Sequence, residues 1–220
     1  MLSIDSEREA AGRTIATMLA AKEIRQGGPV HLETILTGIG ALAGFAAQMS
    51  VRRAIIEPRK LDPNEIMPEV VTTNGEKYYF SDTLNWIVFE NLTQPPYSIW
   101  AYVLDAVPQA SRALLPDMED IISYAARMIG TPRFGVPRLP SAHMPRITPR
   151  AALAQLWTEV LGELRALARA PSDWPYDLAC AARWQMLNGS DRLALPVAAT
   201  IVMEAAIPMS KVDPATVPGA

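Results

Sequence analysis

Between Thr34 and Val51 the chain reads TILTGIGALAGFAAQMSV, an uncharged run that limits the fold more than any other stretch. Three objects have this composition: a membrane span, the glycine-rich turn of a dinucleotide-binding unit, and a soluble helix whose glycines admit a close neighbour. A span needs about 20 apolar residues, and Gly40 with Gly44 makes a small-xxx-small pair. Yet three glycines, Thr34, Thr37, Gln48 and Ser50 dilute the run, and no aromatic residue anchors either end.

Gly38-Ile39-Gly40-Ala41-Leu42-Ala43 matches the G-x-G-x-x-A nucleotide pattern, with Glu57 near the place of a ribose-binding acid. The context is wrong. A first strand over Val30–Leu36 would contain His31, Glu33 and Thr34, and no strand-helix alternation follows. Helical spacing accounts for more. Leu32, Ile35, Ile39, Leu42, Ala46 and Met49 recur at intervals of three and four, while Glu33, Thr37, Ala41, Gly44, Gln48 and Arg52 follow a second line. The spacing predicts a helix with one core face and a narrow side at Gly40 and Gly44, where a neighbouring helix or a twin subunit comes close.

At 220 residues, half of them hydrophobic, the chain has enough material for a real core in one domain. A net charge of −3 gives no global attraction to nucleic acid or an anionic membrane, and neither is expected as a partner. One cysteine, Cys180, leaves no intrachain disulfide, and two histidines cannot complete a Cys/His zinc cage; no metal and no cofactor are expected. The start, MLSIDSEREAAGR, lacks the basic opening and apolar centre of a secretory signal, so a cytoplasmic location is expected.

Periodicity and breakers predict helices over 4–26, 31–57, 81–92, 98–107, 116–129, 149–170, 176–187 and 196–206. Gly27-Gly28-Pro29 and Pro95-Pro96 serve as stops, and Ser81 and Pro116 as starts. Residues 149–170 form the cleanest amphipathic pattern, with Leu153, Leu156, Trp157, Val160, Leu161, Leu164 and Leu167 in one stripe. Val70-Val71-Thr72-Thr73 and 76–80 flank Asn74-Gly75, the signature of a hairpin with a two-residue turn. Such a ribbon is marginal alone and must pack on the helices or extend a partner's sheet.

Eight of the fifteen aromatic residues lie between Tyr78 and Tyr102. They supply either core or the wall of an apolar pocket or interface, for which Trp86, Tyr97 and Trp100 are the candidates. From Thr131 to Arg150 prolines recur every three to five residues. Four Pro-Arg dipeptides give this stretch a charge of +4 with no acid. Its arginines either pair with the protein's own carboxylates or present Arg133, Arg138, His143 and Arg146 to an anionic ligand or acidic surface. Ser141 and His143 are too isolated to define a catalytic dyad, and Cys180 in LACAARW reads as a buried small residue.

The expected fold is all-α: a single domain over 1–207 of about seven helices, with a hairpin insertion near 70–80, a basic proline-rich loop at 131–149, and a flexible or extended tail over 208–220. The expected function is a partner- or self-interaction module, a homo-oligomer or a binder of another protein. The alternative is an enzyme or binding protein for an anionic small molecule, sited between the aromatic segment 78–102 and the arginine loop 131–150.

Overall fold

The computed structural model describes residues 5–25, 30–90 and 97–220, and the stops expected at 27–29 and 95–96 lie outside them. The described chain is a single body, 67% helical, with one two-stranded antiparallel hairpin. Its helices are α1 (Ser6–Arg25), α2 (Leu32–Ser50), α3 (Asp82–Val88), α4 (Ile99–Ala106), α5 (Met118–Met128), α6 (Pro149–Ala166), α7 (Trp174–Asn188) and α8 (Leu195–Met209). The strands are β1 (Glu69–Val71) and β2 (Lys77–Tyr79).

Helix α2 is the axis of the molecule, packed against α6, α7 and α8. A π-helical segment, Val51–Ile56, and a last turn, Glu57–Arg59, extend it to 28 residues. That length and hydropathy would suffice to cross a membrane, but 94% of the apolar window is buried inside the protein itself. The supposed nucleotide turn, Gly38 to Ala43, is mid-helix and buried throughout.

The narrow side of α2 faces α8. A Cβ at Gly40 would stand 2.5 Å from the carbonyl oxygen of Val202, and one at Gly44 would fall on that of Ala206. Partners advance by four on both helices, so α2 and α8 run in the same direction. The close neighbour is a helix of the same chain, which leaves no room there for a twin subunit. Glycine costs each site about 1 kcal/mol in helix propensity. The return is a backbone approach that no side chain permits.

Elsewhere the expected starts hold. Ser81 Oγ accepts the Leu84 amide at 3.0 Å and Ser98 Oγ that of Ala101 at 3.1 Å, caps contributing about 1 kcal/mol each. Helix α5 differs: Asp117, not Pro116, caps it, by accepting the Glu119 amide at 2.9 Å. Thr148 Oγ1 accepts the Ala151 amide, and Pro149 occupies the first turn of α6, where its missing N–H is no loss. The α6 stripe then buries Leu153, Trp157, Val160, Leu161 and Leu164, with the Trp157 ring edge-on to Phe45 at 4.8 Å.

In the hairpin, Val70 pairs with Tyr78, but the turn holds three residues rather than two. Thr72 donates its amide to the Glu76 carbonyl and accepts that of Gly75, whose φ of 83° is the left-handed position of a bulged turn. The tail holds the ribbon from the other side. Val212 bridges Tyr78, and the Tyr79 amide donates to the Lys211 carbonyl at 3.0 Å. Beyond the end of α8, Lys211, Val212 and Val217 are buried, and Thr158 Oγ1 donates to the Pro218 carbonyl, so the tail is docked at several points.

Candidate functional site

Three helices and the arginine loop meet around a cavity of about 530 Å³. Leu19, Lys22 and Glu23 come from the last turns of α1, Thr34, Ile35 and Gly38 from the first turns of α2, and Ala152, Gln155 and Leu156 from α6. The helical residues repeat at spacings of one, three and four, so each helix offers one face to the same space. Arg146 and Ile147 of the loop supply the last wall. Gly38 keeps the floor open, since a Cβ there would already reach within 3.2 Å of Leu156 Cδ1.

The charges in this wall are arranged. The Arg146 guanidinium donates to Glu23 Oε1 at 3.0 Å, and its backbone N–H donates to Thr34 Oγ1 at 3.0 Å. Lys22 pairs with Glu159, which is not part of the lining. Lys22, Arg146 and Glu23 therefore border the same space as Leu19, Ile35, Ile147 and Leu156. The arrangement suits an apolar body with an anionic or polar end, within the roughly 300–1,000 Å³ usual for small-molecule sites.

Beside the cavity, both histidines of the chain stand on one carboxylate. His143 Nδ1 lies 3.3 Å from Glu33 Oε1, His31 Nε2 lies 3.6 Å from Glu33 Oε2, and His31 Nδ1 is 2.8 Å from Thr34 Oγ1. Burial alone would raise the Glu33 carboxyl. The Glu33 backbone N–H, the hydrogen bond with His143 and the field of the two imidazoles outweigh it and hold the group below its ordinary value. Among the described residues no three His, Cys, Asp or Glu side chains stand as a metal-holding group.

The other candidates are dispersed. Arg138 clamps Glu204 (Nη2 to Oε1, 2.9 Å) and Asp120 (Nη1 to Oδ2, 2.6 Å) and covers the Tyr124 ring at 4.2 Å. Arg150 pairs with Glu76 at 3.2 Å, and Arg133 is exposed. The loop is thus stitched to α1, α2, α5, α8 and the hairpin turn by its own side chains. Trp86 and Tyr97 are exposed, Trp100 is half-buried, and Tyr78 and Tyr102 are core. No described residue of segment 78–102 lines the 530 Å³ cavity. A second hollow of about 300 Å³, between Asn74, Glu76, Thr131, Phe134 and Arg150, also excludes Trp86, Tyr97 and Trp100.

The aromatic segment meets arginines of other elements instead. The Tyr97 and Tyr102 rings both lie near Tyr176 of α7, over which Arg8 of α1 sits at 5.4 Å, and Arg8 donates to the Tyr102 hydroxyl at 3.0 Å. Arg169 grips the fully buried Asp177 through Nε (2.9 Å) and Nη2 (3.2 Å). Burial pushes Asp177 up to about 6, against the pull of Arg169. Burial likewise pushes the Cys180 thiol up to about 12, which leaves it a packing residue beneath Gly12, where an added Cβ would stand 2.6 Å from the Cys180 Cβ. This network ties α1 to α7 and has no cavity beside it among those described.

Sequence spacing did not mark Lys22, Glu23 or Gln155 as site residues; it placed Leu156 in the apolar stripe of α6 and assigned Gly38 only to the rejected nucleotide turn. The pattern that carries them is three helical faces and a loop meeting from across more than a hundred residues. The chain matches no family model, no curated protein and no solved structure.

Proposed function

We propose that the protein binds a small amphipathic anion in the cavity between α1, α2, α6 and the arginine loop. The observation that carries this reading is the wall itself, in which Leu19, Ile35, Ile147 and Leu156 stand together with Lys22 and Arg146. Desolvated apolar surface supplies affinity for the body of the ligand, at roughly 25 cal/mol per Å² before the cost of ordering it. The cations fix its polar end and reject a cationic one. An anion site near the loop keeps part of the sequence expectation but moves it: the loop contributes Arg146 and Ile147, and α6 takes the place of the aromatic segment.

Calorimetric titration with octanoate tests the reading, with octylamine as the charge control and Gly38→Leu as the filled-cavity control. Octanoate is expected to saturate, octylamine to bind at least about tenfold more weakly, equivalent to about 1.4 kcal/mol, and Gly38→Leu to lose binding while staying folded. Equal affinity for both ligands, or undiminished binding to a folded Gly38→Leu, overturns it.

A second reading, a partner- or self-interaction module, is favoured by a different observation. Trp86 is 54% exposed, and Val70 and Val71 are exposed on β1, whose edge away from β2 is open in the sheet order. Large apolar side chains and an unpaired strand edge are the usual material of contact surfaces. A chain that sediments as a monomer at every concentration removes the self-association form of this reading.

A further inference from the structure

We propose that the ligand of the cavity is an apolar α-amino acid, its ammonium held by Glu23 and its carboxylate by Lys22 and Arg146. The inference rests on the binding reading and adds to it a second charge on the ligand, opposite in sign to the first. Glu23 is the residue that asks for it. It borders the cavity, is 8% exposed, and engages only Oε1, which accepts from the Arg146 guanidinium at 3.0 Å. Oε2 has no partner among the described residues. A carboxylate so deeply buried is costly to leave short of donors. A ligand with only an anionic end brings a like charge to that oxygen, whereas an ammonium brings it N–H groups.

The sum of the charges points the same way. Lys22 pairs with Glu159 and Arg146 with Glu23, so two cations and two carboxylates surround the site and cancel. Such a set is matched best by a head group that carries both signs and no net charge, since each charge then meets its opposite. Leu19, Lys22 and Glu23 lie on one face of α1 at spacings of three and four, which puts the acid and the base side by side, one turn beyond an apolar residue. The backbone repeats the pattern: α1 ends at Arg25 and α2 begins at Leu32, so a negative and a positive helix end flank the same space. Gln155, also in the lining, makes no hydrogen bond among the described residues and offers a donor and an acceptor together.

The amino acid keeps what the binding reading requires. Its side chain takes the place of the octanoate chain among Leu19, Ile35, Ile147 and Leu156, and its carboxylate the place of the anionic end. An ammonium alone, as in octylamine, leaves Lys22 and Arg146 with nothing to hold and stays the weaker ligand. One carbon away from a carboxylate, the same ammonium meets Glu23 while the cations are satisfied.

Calorimetric titration of the full chain at neutral pH tests this with three probes of one chain length: 2-aminooctanoate, octanoate, and 2-hydroxyoctanoate, in which a neutral hydroxyl replaces the ammonium. On the native protein 2-aminooctanoate is expected to bind at least about tenfold more tightly than the other two, the effect of one charge-assisted hydrogen bond. In Glu23→Gln, whose amide oxygen can still accept from Arg146, that preference is expected to shrink to within about threefold, with octanoate binding retained. Octanoate or 2-hydroxyoctanoate binding as tightly as 2-aminooctanoate on the native protein overturns the amino acid and leaves the amphipathic-anion reading standing; this comparison needs no variant to fold. An undiminished preference in folded Glu23→Gln overturns the assignment of the ammonium to Glu23. Failure of all three probes to bind the native protein overturns the binding reading, and this inference with it.

Discussion

Lys211 shows what a single buried charge does to this molecule. It is 7% exposed, its ammonium donates to Asn85 Oδ1 at 3.0 Å and lies 5.3 Å from the centre of the Phe80 ring, and no carboxylate stands within ion-pair range among the described residues. Burial pushes its pKa down to about 8 from an ordinary 10.5. Below pH 8 the lysine is charged in both the folded and unfolded chains, and the folded state bears the full cost, about 3 kcal/mol at 1.36 kcal/mol per unit. Between pH 8 and 10.5 the unfolded chain holds the proton that the folded one has released, so stability rises with pH. Lys211→Met is therefore expected to be more stable than the native protein by about 1–2 kcal/mol at pH 7, after loss of the Asn85 hydrogen bond is set against the relief. The gap should close toward pH 10.5 in urea denaturation. A variant less stable at pH 7 would show that the charge is satisfied where it stands.

The pairing of α2 with α8 is where sequence and structure meet most closely at the scale of elements. Helical periodicity identified the glycine side of α2, and the structure supplies its neighbour, the backbone of Val202 and Ala206. Four glycines then separate by what surrounds them. Gly40→Ala and Gly44→Ala must displace a backbone carbonyl and are expected to cost about 3 kcal/mol each, the upper part of the overpacking range. Gly38→Ala asks only the flexible end of Leu156 to give by a few tenths of an ångström, and Gly162→Ala meets nothing within 4 Å. Both gain helix propensity, so Gly162→Ala should stabilise by up to about 1 kcal/mol. Thermal unfolding of the four variants checks the order, and a Gly44→Ala as stable as Gly162→Ala would contradict the close approach.

The elements were legible because their causes are local. Ser81, Ser98 and Thr148 cap the helices they precede, and the α6 stripe repeats within one segment. Short turns were missed where a single cap decides them, as Asp62 does for Pro63–Ile66 by accepting the Asn64 amide. The hairpin turn was read one residue short because Gly75 alone takes the left-handed angle that Asn74-Gly75 could have shared. The dual reading of the loop arginines resolves residue by residue: Arg138, Arg146 and Arg150 each meet a carboxylate of the protein, and Arg146 also borders the cavity.

At the scale of the whole molecule, the cavity exists because the elements do not pack completely where four of them converge. Nothing local in the sequence announces that. Glu23 and Arg146 are 123 residues apart, and only the fold brings α1 and the arginine loop together. The same folding that closes the glycine side of α2 along α8 leaves Thr34, Ile35 and Gly38 of its first turns lining the cavity. One helix thus serves as core on one side and as cavity wall on another. Methyl NMR of the full chain during addition of octanoate tests that account most directly. Saturable shifts concentrated at Leu19, Ile35, Ile147 and Leu156 are the predicted result. Shifts confined to residues outside that wall, or none at saturating ligand, would contradict it.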